Sequence, residues 1–231
     1  MRTSLHSFQV AAAGLIFLIL ALTPGLAQTA ASETTKSPAK DSVATITYTL
    51  DWHDAQPSHY SIKLDSAGHA TYESLPNATT DQADKYQVQF VMSADLRDRI
   101  FALAQKANYF DGKFDYTKRK IASTGQKTLD YSDGSRHFQT AYNWSENPSI
   151  QELTEIFYGI SNTMESGSKL EYLKRFDKLG LPEELQNMLR LRSEGHLLEL
   201  QSIAPVLRQI AQDSSQMNLA RQRAQRLMDG Q

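Results

Sequence analysis

Hydrophobic and polar side chains alternate in four parts of this chain, with the two-residue period of a β-strand that has one buried and one wet face. The clearest example is 44–51, where Ala, Ile, Tyr and Leu alternate with three threonines and an aspartate. The stretch 86–92 also indicates one strand, while 59–73 and 126–142 each indicate two strands joined by a turn. The pattern therefore predicts six strands in a mostly antiparallel sheet.

The first predicted hairpin has a loop whose length follows from the side chains that must face the core. A two-residue loop would place Leu64 opposite His69 and would reverse the faces of every later pair. A three-residue loop with Gly68 in the left-handed conformation instead pairs Leu64 with Ala70. This register also predicts that Asp65 lies beside His69 on the outer face of the sheet.

The second predicted hairpin contains an Asp-Gly pair at 133–134, which is typical of a two-residue type I′ loop. That loop places Leu129 opposite Phe138 on the inner face of the sheet. It places Asp130 opposite His137 on the outer face. Both predicted hairpins therefore carry an Asp-His pair on the side that faces water.

Two segments next to the predicted strands have apolar residues at helical spacing. One follows Ser93, the predicted N-cap, and the other spans 150–160. The chain from 166 onward is predicted to form separate helices, with Gly180 ending one and Pro182 beginning the next. The first of these has an apolar stripe formed by Leu170, Leu173 and Phe176. The predicted fold class is α+β: a mostly antiparallel sheet of about six strands with two helices on one face, followed by a small C-terminal helical bundle.

Residues 1–27 have the composition of a signal peptide. Arg2 is the only charged residue before Glu33, an apolar run covers 10–22, and small residues precede a cleavage site after Ala27. We therefore expect export to the periplasm or the cell exterior, with cleavage near Ala27. A retained N-terminal membrane anchor is the alternative, although the strongly apolar run is shorter than the ~20 residues of a spanning helix.

The remaining chain divides by composition into three parts. Residues 28–42 lack large apolar side chains and are predicted to form a disordered linker. A sheet domain at 43–165 and a helical region at 166–231 follow it. The 24 basic and 26 acidic residues give no basic excess for a nucleic-acid partner, and no membrane span is expected after signal cleavage. The absence of cysteine excludes disulfides and thiol chemistry.

One set of turn and core residues resembles a widespread family of uncharacterised exported bacterial domains of unknown function. The set consists of Tyr60, Ile62, Leu64, Asp65, Gly68, Ala70 and Tyr72, followed by Phe110-Asp111 and the second hairpin. In that family a Cys-Pro-x-Tyr start leads into a short hairpin that turns at Asp-Gly. The resemblance covers about 43–163 and implies the fold of this part. Because Ser58-His59-Tyr60 replaces the Cys-Pro start here, any role of that cysteine is absent, and the resemblance implies no activity.

The two predicted Asp-His pairs, Asp65 with His69 and Asp130 with His137, are the candidate catalytic residues. An aspartate can orient an imidazole for base catalysis or hold it as a metal ligand. Exposed cross-strand pairs of no catalytic importance have the same appearance. Neither pair is linked by spacing to a nucleophile or to a third ligand.

The loop after the first strand contains the candidate metal ligands, which are His53, Asp54 and His59. No His-Glu-x-x-His pattern accompanies them, and the chain has no nucleophile elbow, phosphate-binding loop or dinucleotide-binding glycine run. We therefore expect neither a metal nor a cofactor, and the sequence favours a protein that is not an enzyme.

These observations favour a non-enzymatic exported module that binds an unidentified protein or cell-envelope material. The predicted binding surfaces are the exposed sheet edges and the C-terminal helices. The alternative is a periplasmic hydrolase or metal-dependent enzyme, which would use either the Asp-His pairs on the sheet face or the loop from Asp51 to His59.

Overall fold

The structure is a computed structural model that describes residues 43–75 and 85–229. The predicted signal peptide (1–27) and the predicted linker (28–42) lie outside the described residues. The described chain has an α+β fold with one six-stranded antiparallel sheet, in the order β4-β3-β2-β1-β5-β6. The strands are β1 (Thr45–Asp51), β2 (His59–Asp65), β3 (His69–Leu75), β4 (Tyr86–Val91), β5 (Gln126–Ser132) and β6 (His137–Tyr142).

The alternation in the sequence correctly predicts which side of the sheet is buried. The inward side chains of the central strands include Ile46, Tyr48, Ile62 and Leu129, and each is almost completely removed from solvent. They form one hydrophobic cluster with apolar residues of two helices. The intervening threonines and charged residues of these strands face the opposite side.

The first hairpin has the predicted register. Leu64 pairs with Ala70 across β2 and β3, and the positive φ of Gly68, 97°, closes the three-residue loop. The N–H of Gly68 donates to the carbonyl oxygen of Asp65 at 3.0 Å. Residue parity correctly excludes the two-residue loop, because a shift of one residue would expose the apolar face of β3.

The predicted register of the second hairpin is wrong. Leu129 pairs with Thr140 instead of Phe138, and Asp130 pairs with Gln139 instead of His137.

The cause of this shift is the side chain of Asp133. Its carboxylate accepts hydrogen bonds from the backbone N–H of Ser135 and of Arg136, and from the Arg136 guanidinium. The N–H of Asp133 also donates to the carbonyl oxygen of Arg136 at 3.1 Å, so these two residues close the turn. The loop between them is Gly134-Ser135, and Gly134, with a φ of 80°, occupies its first position. The partner of each β5 residue moves by two positions, so every side chain keeps its predicted face.

The first helix, α1 (Ala94–Lys106), begins after Ser93 as predicted, but the Ser93 hydroxyl does not cap it. Instead, the hydroxyl and the N–H of Ser93 donate to the carboxylate of Glu199, at 2.6 and 2.9 Å. Glu199 is buried and has a positive φ of 62°. A residue more than 100 positions later in the chain therefore supplies the acceptor at the start of α1.

The prediction of separate helices at 150–160 and around 170–176 is wrong, because one helix covers both segments. The described helices after α1 are α2 (Pro148–Phe176), α3 (Leu181–Ser193), α4 (Ala204–Gln212) and α5 (Asn218–Met228). Residues 161–167 are rich in weak helix formers, but Thr163, Met164 and Gly167 are buried, so packing outweighs their propensity.

Phe176 is 72% exposed and does not belong to the buried stripe. Gly180 precedes α3 and does not end α2.

Helix α2 contributes to two hydrophobic clusters. Its residues up to Met164 pack with the sheet and α1, and its residues from Leu170 pack with α3, α4 and α5. The predicted division into a sheet domain (43–165) and a helical region (166–231) stays a prediction, and its boundary falls within α2. In the described part of the chain, no helix combines the length and apolar content that crossing a membrane requires.

Gly167 lets α2 approach the short 3-10 turn Leu200–Ile203 closely. A Cβ atom at Gly167 would lie 2.5 Å from Cγ2 of Ile203, which is closer than van der Waals contact allows. We therefore expect Gly167→Ala to lower the free energy of unfolding. Overpacking costs about 1–3 kcal/mol, which exceeds the roughly 1 kcal/mol by which alanine favours a helix over glycine.

Urea unfolding of four proteins tests this prediction: the wild type, both single variants and the double variant with Ile203→Ala. Once Ile203→Ala has removed the clashing methyl group, Gly167→Ala should become neutral or stabilising. An equal loss of stability in both backgrounds would contradict the packing explanation.

Candidate functional site

A cavity of about 1280 Å³ runs along one side of α2, and we call it the α2 cleft. Its other walls come from the inner face of the sheet, including β1 and β2, and from the loop after β1, the segment after β6 and part of α3. Its aromatic lining residues are Tyr48, Trp52, Tyr60, Tyr142, Trp144, Tyr158 and Tyr172. Aromatic side chains with a polar atom offer both an apolar face and a hydrogen-bonding group.

The α2 side of the cleft is a single face of the helix. Its lining residues recur every three or four positions between Gln151 and Tyr172. At 1.5 Å per residue these 21 steps extend over about 30 Å. The rings of Tyr158 and Tyr172 on this face are 48% and 61% exposed, although aromatic side chains are normally buried in a core.

A hydrogen-bonded group lies where α2 contacts β3, next to the cleft. The carboxylate of Glu165 accepts from the hydroxyls of Tyr72 and Ser74, at 2.7 and 2.6 Å. The hydroxyls of Tyr72 and Ser161 are 3.1 Å apart. Burial raises the pKa of Tyr72, and the negative charge of Glu165 raises it further, so the tyrosine remains a donor.

The hydroxyl of Tyr60 is a buried polar group without a hydrogen-bonding partner among the described residues. Tyr60 lines the cleft and is only 3% exposed. Its hydroxyl lies close to those of Tyr48 and Ser161 without reaching hydrogen-bond geometry, and burial raises its pKa. A neutral hydroxyl left unpaired in a protein interior costs about 1–3 kcal/mol.

Both lysines that line the cleft are already engaged. The Nζ of Lys127 donates to the carbonyl oxygens of Thr124, Gly125 and Asn143, and burial lowers its pKa. The Nζ of Lys169 lies 2.5 Å from the buried carboxylate of Glu184.

The carboxylates in the lining outnumber these lysines. They belong to Glu155, Glu165 and Glu184, and the first two have no cationic partner among the residues that the structure describes. The lining therefore carries a small negative charge and has no free cation for an anionic ligand.

The candidate catalytic pairs lie on the opposite face of the sheet, outside the cleft. Nδ1 of His69 is 2.9 Å from Oδ2 of Asp65, and Nε2 of His137 is 2.6 Å from Oδ2 of Asp130. In the second hairpin the contact is diagonal, because Asp130 and His137 are not direct partners. Both imidazoles are largely exposed.

The candidate metal ligands do not come together. Nδ1 of His53 lies 3.1 Å from the carboxylate of Asp54, and both side chains are more than 80% exposed. His59 instead contacts Asp51, at 2.6 Å. Within 43–75 and 85–229, no three His, Asp or Glu side chains are grouped closely enough to hold a metal ion.

The sequence pattern does not predict the cleft. The signal that could have indicated it is the position of Tyr158 and Tyr172, which are 14 residues, or about four turns, apart on α2 and lie outside its predicted apolar stripes. Apolar side chains scattered singly on a surface are normal, so the two tyrosines alone do not define a binding site. The residues opposite them come from distant parts of the chain, so sequence spacing could not have grouped them.

No protein-family model matches this chain, and no curated protein sequence matches it. The resemblance to uncharacterised exported domains therefore stays a prediction.

The first hairpin gives a prediction about pH. Partial burial opposes ionisation of Asp65, but hydrogen bonds from the His69 side chain and backbone outweigh it and hold the pKa of Asp65 below its ordinary value. Such a carboxylate stabilises the fold above its unfolded pKa of about 3.9, and the stabilisation disappears as the pH falls through the lower folded pKa. We expect Asp65→Asn to reduce the free energy of unfolding by a few tenths to about 1 kcal/mol at pH 5–7.

Denaturant unfolding between pH 2 and pH 7 measures this difference. It should shrink towards zero at the acid end of the range. Asp54→Asn is the matched control, because the contact of Asp54 with His53 is fully exposed and should contribute little at any pH. A difference for Asp65→Asn that does not depend on pH would contradict the prediction.

Proposed function

We propose that this chain is a non-enzymatic exported module that binds cell-envelope material in the α2 cleft. The proposal is supported by the combination of an open cavity of about 1280 Å³ with partly exposed aromatic rings and the Glu155 carboxylate, which has no cationic partner among the described residues. Concave sites with aromatic walls and a few directed polar groups are the usual form of ligand-binding sites. Export to the periplasm or the cell exterior is the prediction made from residues 1–27.

The arrangement of the acidic residues favours binding over hydrolysis. Glu155 and Glu165 are ten residues apart on α2, about 15 Å along the helix axis between their Cα atoms. The carboxylate of Glu165 is held by the hydroxyls of Tyr72 and Ser74 on β3, so it is already engaged as a hydrogen-bond acceptor. The remaining carboxylate, that of Glu184, is held by Lys169. The Asp-His pairs are on the other face of the sheet and cannot act on a ligand in the cleft.

The cleft is a more specific binding surface than the sheet edges and C-terminal helices considered from sequence. It is concave, and its polar groups come from several elements that converge on one space. Edge strands and helix faces offer contact area, whereas a concave site also removes the ligand from water. The enzyme alternative stays a prediction that no contact in the cleft favours.

Co-sedimentation with cell envelopes of the producing organism tests the proposal, using the chain from residue 28. The protein should pellet with the envelopes. The double variant Trp144→Ala/Tyr158→Ala should weaken binding about tenfold or more, because losing buried aromatic contacts typically costs at least 1.4 kcal/mol.

The control is Leu179→Ala/Leu219→Ala, which removes two exposed apolar side chains outside the cleft lining. This variant should sediment like the wild type. A protein that stays in the supernatant, or a control that loses binding as strongly as the cleft variant, would contradict the proposal.

A further inference from the structure

We infer that the ligand of the α2 cleft is an uncharged saccharide chain. This inference rests on the proposed binding function and specifies its ligand. Four properties of the cleft lead to it: its length, its exposed rings, its unpaired polar groups and its charge.

The dimensions of the cleft suit a chain better than a compact molecule. Its volume, about 1280 Å³, exceeds the roughly 300–1,000 Å³ of most small-molecule sites. The face of α2 that lines it extends over about 30 Å. An extended polymer can contact this whole length, whereas a single small molecule would leave most of the lining in water.

The exposed rings provide flat apolar surfaces at intervals along the cleft. Tyr158 and Tyr172 lie about 21 Å apart on α2, and Trp52 and Trp144 contribute from the loops opposite. A pyranose ring has faces made of C–H groups and a rim of hydroxyls. The electron-rich face of an aromatic ring attracts such C–H groups. Sugar units several positions apart in one chain can therefore stack on these rings while their hydroxyls point to the polar lining.

The polar lining has acceptors that hydroxyl groups can use. The carboxylate of Glu155 has no partner among the described residues. Among those residues the side-chain oxygen of Gln151 also has no partner, since only its Nε2 donates, to the Ser145 carbonyl. A sugar hydroxyl can donate to one of these oxygens and still accept from another group.

The charge and composition of the cleft argue against other polymers. An anionic chain would meet unpaired carboxylates and two lysines that are already engaged. A lipid chain would find few aliphatic side chains, mainly Leu50 and Leu191. A peptide that adds a strand binds along a free sheet edge, whereas the sheet residues that line the cleft lie on the inner face of β1, β2, β5 and β6.

Tryptophan fluorescence tests the inference directly, because the chain has only two tryptophans, Trp52 and Trp144, and both line the cleft. The protein from residue 28 is titrated with three probes: the hexamer of N-acetylglucosamine, cellohexaose and the anionic hexagalacturonate. We expect a saturable change with at least one neutral probe. We expect hexagalacturonate to bind at least about tenfold more weakly, a difference of about 1.4 kcal/mol.

Two variants distinguish stacking from charge exclusion. Tyr158→Ala should weaken binding of the neutral probe about tenfold or more by removing a stacking ring. Glu155→Gln keeps the size of the side chain but removes a negative charge, so it should strengthen binding of hexagalacturonate more than that of the neutral probe. Leu179→Ala should match the wild type. Thermal unfolding of each variant confirms that it is folded.

The inference is wrong if neither neutral hexamer gives a saturable change, or if hexagalacturonate binds as tightly as they do. With either result, continued co-sedimentation with envelopes through Trp144 and Tyr158 would show that the cleft is a binding site for another class of ligand. Loss of co-sedimentation would instead contradict the proposed function itself.

Discussion

The packing of α2 on two hydrophobic clusters is the constraint on which the rest of this structure depends. One side of the helix is anchored in the sheet core, where the ring of Phe157 stacks on Tyr48 with centroids 4.8 Å apart. Further along, Leu170 and Leu173 belong to the C-terminal helical cluster. Because both ends are fixed, the remaining face of the helix has a fixed orientation over the sheet. The α2 cleft is the space that this arrangement leaves open.

The chemistry of the cleft follows from burial as much as from residue type. Burial raises the pKa values of Tyr48, Tyr60 and Tyr142, so these phenols stay neutral and can donate hydrogen bonds. The lysines that could have attracted anions are instead held by backbone carbonyls or by Glu184. What remains available is a set of aromatic faces, neutral polar atoms and a few acceptor oxygens. Such a surface suits a ligand that is rich in hydroxyls and carries no negative charge.

The sequence predicts those parts of the fold that depend on local pattern. Strand alternation and parity exclude a two-residue loop in the first hairpin, because that loop would put Leu64 and Ala70 on opposite faces, and the positive φ of Gly68 fits the three-residue loop. The second hairpin differs because the carboxylate of Asp133 selects a different turn, an effect that dipeptide preference does not include. Tertiary burial also outweighs the weak helix formers within α2. The cleft combines residues as far apart as Trp52 and Tyr172, so it could not be predicted without the fold.

Amide hydrogen exchange with and without a saturating neutral hexasaccharide shows whether the α2 cleft is the binding site. We predict added protection in the loop after β1, which contains Trp52, and in the segment after β6, which contains Trp144. The outer face of the sheet, with His69 and His137, should be unchanged. Protection centred on that outer face, or no protection anywhere while the saccharide is bound, would show that the ligand does not bind in the cleft.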